Sequence, residues 1–593
     1  MAGYRAPLEQ IRFTIRHLAG FDQVTALPDF AAVDADTVDA VLEEAAKFAG
    51  GVLAPINALG DREGVRVAND AVEVPAQFVD AYAQFCDGGW PGIAGTPEFG
   101  GQGMPKSVAV ACDEMWGAAN VSFALCPELS QGAVVAVDRH ATENLKAIYL
   151  GNLISGRWAG TMCLTEPQAG SDLSSLTTRA VPSGDRYLIT GRKTFITWGD
   201  HPMAENIVHL VLARLPDAPA GTKGISLFIV PRHKVNADGT LGGPNDNRPV
   251  SVEHKMGIHA SPTCVLAFGD QGGAEGFLIG RPNEGLAAMF TMMNYMRLGV
   301  GVQGVGIADH SCQQSVAYAR ERVQGRAPGE KGRVPIIRHP DVRRMLLAMR
   351  ALTQASRAVC YYTAACLDRA THGTDAAEAA RCQARADLLT PVAKAWCTEA
   401  ALEVTSNGIQ VHGGMGYIEE TGVAQFYRDA RIAPIYEGTN AIQAIDLVGR
   451  KLLRDGGTTV SDFVSEMRGV DAPLANAGGE LAVLRQALAR GLDELVQCST
   501  HILTGEKRDP ELPGAVAFDY LMLIGTVIGG WQLARGALVA LEQIAAGVDR
   551  SFHETQVVMA KYYAERVLPR CAVHGAAIRA GSSTLMALAA EQF

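Results

Sequence analysis

The order of helical and strand-like segments along the chain is the strongest constraint on its fold. A stretch that begins near Trp158 contains short runs rich in β-branched and aromatic residues, bounded by Gly, Pro, Asp or Asn, which is the pattern of β-strands. Helical periodicity precedes and follows this stretch. The sequence therefore predicts a β domain, small enough for a barrel or a sandwich, inserted between helical regions. The predicted strands are 187–190, 194–197, 207–212, 224–230 and 264–268.

Long amphipathic helices are expected on both sides of this insert. Before it, a helix starts at Asp36, whose carboxylate is placed to cap the first turn. The other predicted helices are 76–86, 108–118, 285–322, 341–368 and 376–408. The expected fold class is α+β, mainly α.

The pattern divides the chain into four parts. They are an N-terminal extension with a helical domain (1–157), the β domain (158–282), a helical bundle (283–455), and a linker with an additional helical domain (456–593). The Gly-, Asp- and Ser-rich stretch 455–479 is predicted to be the linker. After it, leucines recur at helical spacing, which predicts a buried core rather than a cofactor site. These leucines are Leu481, Leu484, Leu488, Leu492 and Leu495.

Charge and cysteine content narrow the class of protein. A formal net charge of -11 over 593 residues argues against a general affinity for nucleic acid or anionic membranes. The 12 cysteines show no CxxC pair and no His-rich spacing, so we expect reduced thiols in a cytoplasmic protein, with no metal site. The most apolar run, 521–541, is interrupted by Gln532 and Arg535, so membrane insertion is not expected.

The stretch 432–440, Ile-Ala-Pro-Ile-Tyr-Glu-Gly-Thr-Asn, places a carboxylate in a tight turn just before an apolar-periodic run. Glu437 is therefore a candidate base. The same residues also fit a plain helix start, with Thr439 as the cap and Glu437 solvated at the positive end of the helix dipole. On this stretch alone, both interpretations stay open.

Two other stretches contain the small residues that a ligand-binding backbone needs. In 162–172 a strand breaks into a loop in which Thr165 and Ser171 offer hydroxyl groups, an arrangement that suits a flat heterocycle with carbonyls or a phosphate-bearing ligand. In 408–417 a helix end is followed by glycines, which let the backbone approach an anion closely. An ordinary hairpin explains the first stretch about as well, and a helix C-cap the second.

Seven motifs occur in one order over residues 40–455, and together they resemble the acyl-CoA dehydrogenase family of flavoenzymes. They are the Gly-rich loop 92–103, TEPQAGSD, KTFITWGD, VEHKMGIHASPT, ERVQGR, IQVHGGMGY and IYEGTNAIQ. The N-terminal YRAPLEQIRF and the helical tail are similar to the large branch of this family that includes 3-methylthiopropanoyl-CoA dehydrogenases. The resemblance implies an N-terminal helical domain, a central β domain and a C-terminal bundle around FAD, with an extra C-terminal helical domain.

By position in these motifs, the resemblance also implies the cofactor contacts. Arg322 matches the arginine that meets the FAD pyrophosphate of a neighbouring subunit, and Gln410 matches the adenosine-side loop. Many family members place an aromatic residue three positions after that arginine, whereas this chain has Gly325. The residues expected to contact FAD are Met162, Leu164, Thr165, Phe195, Thr197, Arg322, Gln410, Gly413, Gly414 and Thr439.

The implied reaction is dehydrogenation of an acyl-CoA thioester to a trans-2-enoyl-CoA, with β-hydride transfer to the flavin. The α-proton is too weakly acidic for a carboxylate in water, so the site must desolvate the base and stabilise the enolate. Glu437 is the expected base, and its amide with a flavin ribityl hydroxyl would hold the thioester oxygen. Some family members carry the base on an earlier helix, but 291–297 contains no carboxylate.

Substrate contacts follow from the same motifs. The expected residues are Ser171, Asn294, Arg297, Tyr436, Gly438 and Arg450. The family often has Asp at the position of Asn294, and a solvated helix charge explains Arg450 at least as well as a CoA contact. The acyl group is expected to be 3-methylthiopropanoyl or that of a fatty acid.

The expected partners are an electron-transferring flavoprotein as electron acceptor and a second copy of the chain in a homodimer. Two alternatives stay open on sequence: an acyl-CoA oxidase-like flavoprotein, and a non-catalytic assembly protein with the flavin fold. A DNA-binding tail is disfavoured because residues 456–593 hold 11 Lys and Arg against 15 Asp and Glu.

Overall fold

The computed structural model describes residues 3–593 as two compact units. The bundle unit comprises residues 3–43, Pro105–Glu114 and Val300–Phe593. The barrel unit comprises Glu44–Met104 and Met115–Gly299. Helices predominate and strands cluster in the second unit, which confirms the predicted α+β, mainly α, class.

The α-helices of the described residues are, in chain order, α1 (Leu8–Phe13), α2 (Phe21–Thr25), α3 (Ala35–Phe48), α4 (Ala54–Glu63), α5 (Ala76–Asp87), α6 (Lys106–His140), α7 (Glu143–Ile154), α8 (Gly285–Glu321), α9 (Pro340–His372), α10 (Ala376–His412), α11 (Val423–Ala430), α12 (Asn440–Asp446), α13 (Thr458–Arg468), α14 (Asp471–Asn476), α15 (Ala482–Gly505), α16 (Leu512–Ala545), α17 (Arg550–Arg566) and α18 (Arg570–Ala580). The strands are β1 (Arg66–Ala68), β2 (Ala71–Glu73), β3 (Trp158–Cys163), β4 (Arg179–Ser183), β5 (Arg186–Thr197), β6 (Asn206–Arg214), β7 (Ile225–Pro231), β8 (His233–Val235), β9 (Leu241–Pro244), β10 (Asn247–Val252), β11 (Thr263–Phe268) and β12 (Ala274–Ile279).

The main sheet of the barrel unit runs in the order β10-β11-β5-β12-β7-β6-β3. Strand β4 pairs with both β5 and β6, which closes β5, β12, β7 and β6 into a ring and confirms the barrel alternative. Most pairs are antiparallel, but β3 runs parallel to β6. The segments 187–190 and 194–197, predicted as two strands, form the single strand β5. Its N-terminal half pairs with β4 and β12, and its C-terminal half pairs with β11.

The first long helix of the chain differs from the prediction for 108–118. Helix α6 extends to His140, and Asn120 within it has non-helical angles (φ -161°, ψ 91°). The Asn120 side chain accepts a hydrogen bond from the amide of Phe123 (3.1 Å), so Asn120 caps a second helical segment after the break. The predicted helix 108–118 therefore corresponds to the first segment of α6, before the break.

The predicted cap of α3 is wrong by two residues. Helix α3 begins at Ala35, and the amide of Thr37 donates to Asp34 Oδ1 at 2.7 Å. Asp34 therefore caps the first turn, and Asp36 lies inside it. Several acidic residues in succession fit a cap equally well by sequence, so the choice between them depends on the path of the backbone.

The predicted linker at 455–479 is folded. Helices α13 and α14 occupy most of it, and Val460, Phe463 and Met467 are buried. These side chains recur at helical spacing, but the Gly-, Asp- and Ser-rich flanks obscured that pattern. The leucine stripe that follows is buried as predicted.

The N-terminal extension belongs to the bundle unit. The Gln10 side-chain oxygen accepts hydrogen bonds from Gln354 (2.9 Å) and Gln556 (2.7 Å), and Phe13 packs against Phe552. The extension is thus joined to α9 and α17, which lie several hundred residues later in the sequence.

Helix α16 is long and apolar enough to cross a membrane by length and composition. Two-thirds of its most apolar window is buried inside the protein, however (67%). Its apolar side chains form part of the bundle core, as in the central helix of a soluble protein.

Candidate active site

Glu437 lies in a strained turn of the bundle unit. Its backbone has a left-handed φ of 59°, and Gly438 follows with a φ of 83°. For a residue with a Cβ, this conformation costs about 1–2 kcal/mol, and such residues concentrate at functional sites. One carboxylate oxygen of Glu437 is buried. Glu437 is therefore not the fully solvated acid of a plain helix start.

Asn440 and Gln443 hold this turn closed. The amide of Asn440 donates to the Pro434 carbonyl (2.9 Å), and Gln443 Nε2 donates to the Glu437 carbonyl (3.2 Å). The Asn440 side chain is buried and makes hydrogen bonds with Lys394 Nζ (2.9 Å) and Glu399 Oε1 (2.8 Å), both on α10. The strain at Glu437 thus persists because buried neighbours fix both ends of the turn.

Thr439 caps the helix that follows. Its Oγ1 accepts a hydrogen bond from the amide of Ile442 at 3.2 Å, at the start of α12. The prediction that Thr439 caps this helix is therefore confirmed. The cap coexists with the constrained backbone of Glu437. The neighbouring Tyr436 is half-buried, and its hydroxyl donates to Gln303 on α8.

The two loops expected to meet FAD from the bundle unit lie at one end of the helices. The ring of Tyr318, in the last turn of α8, stacks on His412, the last residue of α10, with centroids 4.3 Å apart. Arg322 comes directly after α8, whose last turn carries Tyr318, and Gly413 comes directly after His412. The stacked rings therefore hold the two loops close together. The residues predicted to contact FAD there are all exposed: Arg322, Gln410, Gly413 and Gly414.

In the barrel unit, the backbone that follows β3 is fixed by β5. The Leu164 carbonyl accepts from Lys193 Nζ (2.9 Å), and the Thr165 carbonyl accepts from the amide of Thr194 (2.9 Å). Met162 lies on β3 and is half-buried. This arrangement keeps the segment from Met162 to Thr165 in a defined path along the barrel.

A buried ion pair underlies this segment, and sequence analysis did not single it out. Glu166 Oε1 lies 2.9 Å from Lys193 Nζ, and both side chains are almost fully inaccessible to solvent. Burial raises the pKa of Glu166, but Lys193 and the hydroxyls of Thr178 and Thr177 lower it by more, to about 2. Burial lowers the pKa of Lys193 to about 8. The acid and the lysine both stand in predicted motifs, TEPQAGSD and KTFITWGD, and that shared placement was the available signal.

A bulge in β5, where its register with β11 shifts, presents Phe195 outward. Phe195 has a left-handed φ of 58° and is 64% exposed, an unusual exposure for a phenylalanine at a sheet surface. Thr194 Oγ1 is buried and has no hydrogen-bond partner within residues 3–593. Thr197 is half-buried on the same strand. Within four residues, β5 therefore offers a ligand an exposed aromatic ring (Phe195) and the hydroxyl groups of Thr194 and Thr197.

The predicted substrate residues differ in their surroundings. In the barrel unit, Arg297 is buried and its Nη1 donates to Asn294 Oδ1 at 3.1 Å, while Ser171 is exposed in the loop after β3. In the bundle unit, Arg450 is 62% exposed and lies 3.4 Å from Asp446 on the same helix. The contact of Arg450 with CoA stays a prediction, as does the alternative of a solvated helix charge. Among residues 3–593, no group of three or more His, Cys, Asp or Glu is placed to hold a metal ion.

Four family models match consecutive parts of the chain. Those described as the N-terminal, middle and C-terminal domains of acyl-CoA dehydrogenase match residues 35–157, 161–271 and 283–453. A model described as acetyl-CoA dehydrogenase C-terminal like matches residues 459–589.

The chain belongs to the acyl-CoA dehydrogenase family. It is 47% identical to the 3-methylmercaptopropionyl-CoA dehydrogenase of Ruegeria pomeroyi, over 98% of this chain and 99% of the relative. It is 34% identical to the broad-specificity linear acyl-CoA dehydrogenase FadE5 of Mycobacterium tuberculosis, over 96% of each protein. These matches confirm the predicted enzyme class and, together with the FAD-bound structure described next, the predicted cofactor, FAD.

A solved structure shows the same fold. It is an acyl-CoA dehydrogenase complexed with FAD from Bacillus anthracis, with a TM-score of 0.75 and 20% identity, covering 92% of this chain and 88% of that chain. The extra C-terminal helical domain is thus part of the shared architecture.

The residues of this chain fit FAD on chemical grounds. In the barrel unit, the buried hydroxyl of Thr194 lacks a partner, and Phe195 is exposed beside it. In the bundle unit, a Cβ on Gly413 or Gly414 would have no atom within 4 Å, so a ligand can approach the backbone there closely, while the Gly413 amide itself donates to the Gln410 carbonyl. The exposed guanidinium of Arg322, beside this open backbone, suits a pyrophosphate.

Gly325 departs from the family pattern, and the structure gives a local reason. Gly325 has a left-handed φ of 72°, and a Cβ there would lie 3.3 Å from the ring of His339. His339 Nε2 is 2.8 Å from the Gln324 carbonyl. The imidazole thus lies beside this position, and a side chain on residue 325 would require the ring to shift by a few tenths of an ångström, in addition to adopting a left-handed backbone.

Proposed function

We propose that Glu437 is the base that removes the α-proton of an acyl-CoA thioester. The constrained turn carries this proposal, because the family reaction needs a carboxylate that is fixed in place and partly removed from water. Glu437 has a left-handed backbone, one buried carboxylate oxygen, and neighbours that close the turn on both sides. The solvated alternative would require no such support.

Different residues of the chain have different roles in the proposed reaction. When bound, FAD supplies a hydride acceptor. Glu437 takes the α-proton, and its amide donates to the thioester oxygen, where negative charge develops; removal of one such donor typically costs about 3–4 kcal/mol of transition-state stabilisation. Phe195, Thr197 and the Met162–Thr165 backbone would hold the isoalloxazine, and Arg322, Gln410 and the two glycines after α10 would hold the diphosphate and adenosine. Thr439 would combine its helix cap with a cofactor contact.

Glu437→Gln tests the assignment of the base. The amide side chain keeps the size of the glutamate but cannot accept the proton, so turnover should fall at least about 1000-fold, a loss at the scale of general-base catalysis. The FAD absorbance and the binding of acyl-CoA should be retained. Glu420→Gln is the matched control, because it makes the same change at an exposed acid of the same unit. Residual turnover of Glu437→Gln within tenfold of the parent would exclude Glu437 as the base.

We propose 3-methylthiopropanoyl-CoA as the substrate, on the basis of the 47% identity to the Ruegeria pomeroyi enzyme named for that thioester. The sharpest comparison is with pentanoyl-CoA, in which a methylene group replaces the sulfur at nearly unchanged length. We expect a higher kcat/KM for the thioether. Equal values for the two, or a maximum at longer chains, would favour a linear fatty acyl-CoA instead.

We further propose that electrons pass to an electron-transferring flavoprotein in the cytoplasm. The acceptor can be determined by reducing the enzyme with substrate under anaerobic conditions and comparing reoxidation by the flavoprotein with reoxidation by oxygen. Faster reoxidation by the flavoprotein is expected. Rapid reaction with oxygen and peroxide formation would identify an oxidase.

A homodimer is proposed from the loops at the ends of α8 and α10. Val323, Met415, Tyr417 and Ile418 are exposed there, and Tyr417 is 86% exposed. Adjacent exposed apolar side chains commonly mark protein interfaces. Tyr417→Asp should therefore shift the sedimentation of the full chain toward the monomer and weaken FAD retention. A dimer of unchanged stability would disprove the role of this surface.

A further inference from the structure

A cavity of about 380 Å³ opens in the bundle unit, between helices α9 to α11 and helices α16 to α18. This volume lies in the range of small-ligand sites. None of the residues expected to contact FAD or acyl-CoA lines it. The cavity is therefore separate from the proposed active site in its residues, although the Glu437 turn belongs to the same unit.

One carboxylate of the lining, Glu399, has no ion-pair partner within residues 3–593, and the buried Lys394 is linked to it through the side chain of Asn440. Glu403 and Arg570 neutralise each other through two hydrogen bonds of 2.6 and 2.7 Å. His574 Nδ1 lies 2.9 Å from Asp519 Oδ1. Glu399 accepts a hydrogen bond from Asn440 but forms no ion pair within residues 3–593. A half-buried carboxylate of this kind attracts a cation.

The remainder of the lining is suited to an apolar group. Leu352 and Val567 are buried, and Tyr427 and Met522 are half-buried in the wall. An aromatic ring and a thioether provide adaptable contact for a flat or linear hydrocarbon. An occupant that matches both features has a cationic head and an apolar body.

Glu399 also connects the cavity to the Glu437 turn. Its Oε1 accepts from Asn440 Nδ2 at 2.8 Å, and the amide of Asn440 closes the turn by donating to Pro434. A cation on Glu399 would compete for the oxygen that orients Asn440. Occupation of the cavity would then alter the support that the Asn440 side chain gives to the turn.

We propose that this cavity binds a small organic ammonium ion, with its head on Glu399 and its apolar body against Tyr427 and Met522, and that its binding modulates the Glu437 turn. The binding itself does not depend on the proposed role of Glu437, whereas the effect on turnover rests on it.

Three matched probes test the binding step by titration calorimetry on the full-length, FAD-loaded protein. Phenethylammonium, 2-phenylethanol and 3-phenylpropanoate share an aromatic body and differ chiefly in the head group. We expect the ammonium to bind at least tenfold more tightly than the alcohol, and the carboxylate to give no heat of binding. Equal binding of alcohol and ammonium, or no binding of the ammonium, would overturn the proposal.

Glu399→Gln isolates the charge. The amide oxygen of glutamine can still accept from Asn440, so the turn is retained, while affinity for phenethylammonium should fall at least tenfold. Ser406→Ala, an uncharged change in the same lining, should bind the probe as the parent does. Unchanged affinity in Glu399→Gln, with native circular dichroism and FAD absorbance, would refute the assignment of the head group.

The effect of the probe on turnover is measured separately from its binding. Saturating phenethylammonium should change kcat of the parent at least twofold and leave kcat of Glu399→Gln unchanged. Glu437→Gln should still bind the probe with parental affinity, which distinguishes a failure of the cavity proposal from a failure of the proposed base. Binding to the parent without any change in kcat would refute the coupling through Asn440.

Discussion

Replacement of Lys193 by methionine should destabilise the barrel unit and release FAD. The substitution keeps the length and apolar stem of the side chain but removes the charge that Glu166 faces at 2.9 Å. It also removes the donor to the Leu164 carbonyl, in the segment expected to line the flavin. Two buried groups thus lose a partner in one change.

The loss of unfolding free energy in Lys193→Met depends on the hydrogen bonds that Glu166 keeps. Breaking a buried ion pair by removing one partner costs about 3–5 kcal/mol. Thr177 and Thr178 keep their amide and hydroxyl hydrogen bonds to the carboxylate, so we expect the lower end of this range. An exposed pair provides the scale for comparison: Lys234 lies 2.6 Å from Glu275 in the same unit, with the lysine 44% exposed, and such pairs contribute about 0.2–1 kcal/mol.

The assay compares Lys193→Met with Lys234→Met by thermal unfolding and by release of FAD fluorescence on dilution. Lys193→Met should lower the unfolding midpoint by clearly more than the control and should bind FAD less tightly. If the two variants are equally stable and retain FAD equally, the buried pair does not support the flavin segment and the reasoning is wrong.

The direction in which stability changes with pH can be measured in the same experiment. The pKa of Glu166 is lowered in the folded protein, to about 2, so its contribution to stability is present above its unfolded pKa of about 4.3 and is lost as the pH falls toward 2. Without Lys193, the buried carboxyl can relieve its unpaired charge by taking up a proton. The stability gap between parent and Lys193→Met should therefore narrow between pH 7 and pH 5, whereas the gap for Lys234→Met should stay nearly constant.

Two further predictions concern the bundle unit. Arg322→Ala should weaken FAD retention more than tenfold, because it removes a cation expected at the pyrophosphate. Arg326→Ala, which changes another exposed arginine of the same loop, serves as the control. Equal losses of FAD in the two variants, measured by equilibrium dialysis, would contradict a specific role of Arg322. Phe463→Ala should cost about 3–5 kcal/mol and expose the segment around α13 to protease, because Phe463 is fully buried; protease resistance and stability equal to those of the parent would show that this segment behaves as a linker.

The order of elements and the catalytic candidate could be read from the sequence because both have local signals. Helical and alternating apolar periodicity gave several helices and strands within a few residues, as for 285–322, observed as Gly285–Glu321, but not the full length of α6. The Tyr-Glu-Gly-Thr stretch identified Glu437 and the Thr439 cap, since a turn before an apolar run is encoded within ten residues. The roles of the expected FAD and substrate residues remain predictions drawn from motif order.

Other features were decided only by tertiary contacts. The acid that neutralises Lys193 lies 27 residues earlier, and the glutamate that orients Asn440 lies 41 residues earlier. No periodicity relates such pairs, because their meeting depends on which strands and helices become neighbours. The folding of α13 has the same origin: Phe463 and Met467 stabilise it by burial against other helices, which outweighs the loop-like composition around them. Sequence thus determined the local elements and the chemistry offered at Glu437, while the tertiary structure decided which buried partners hold that chemistry in place.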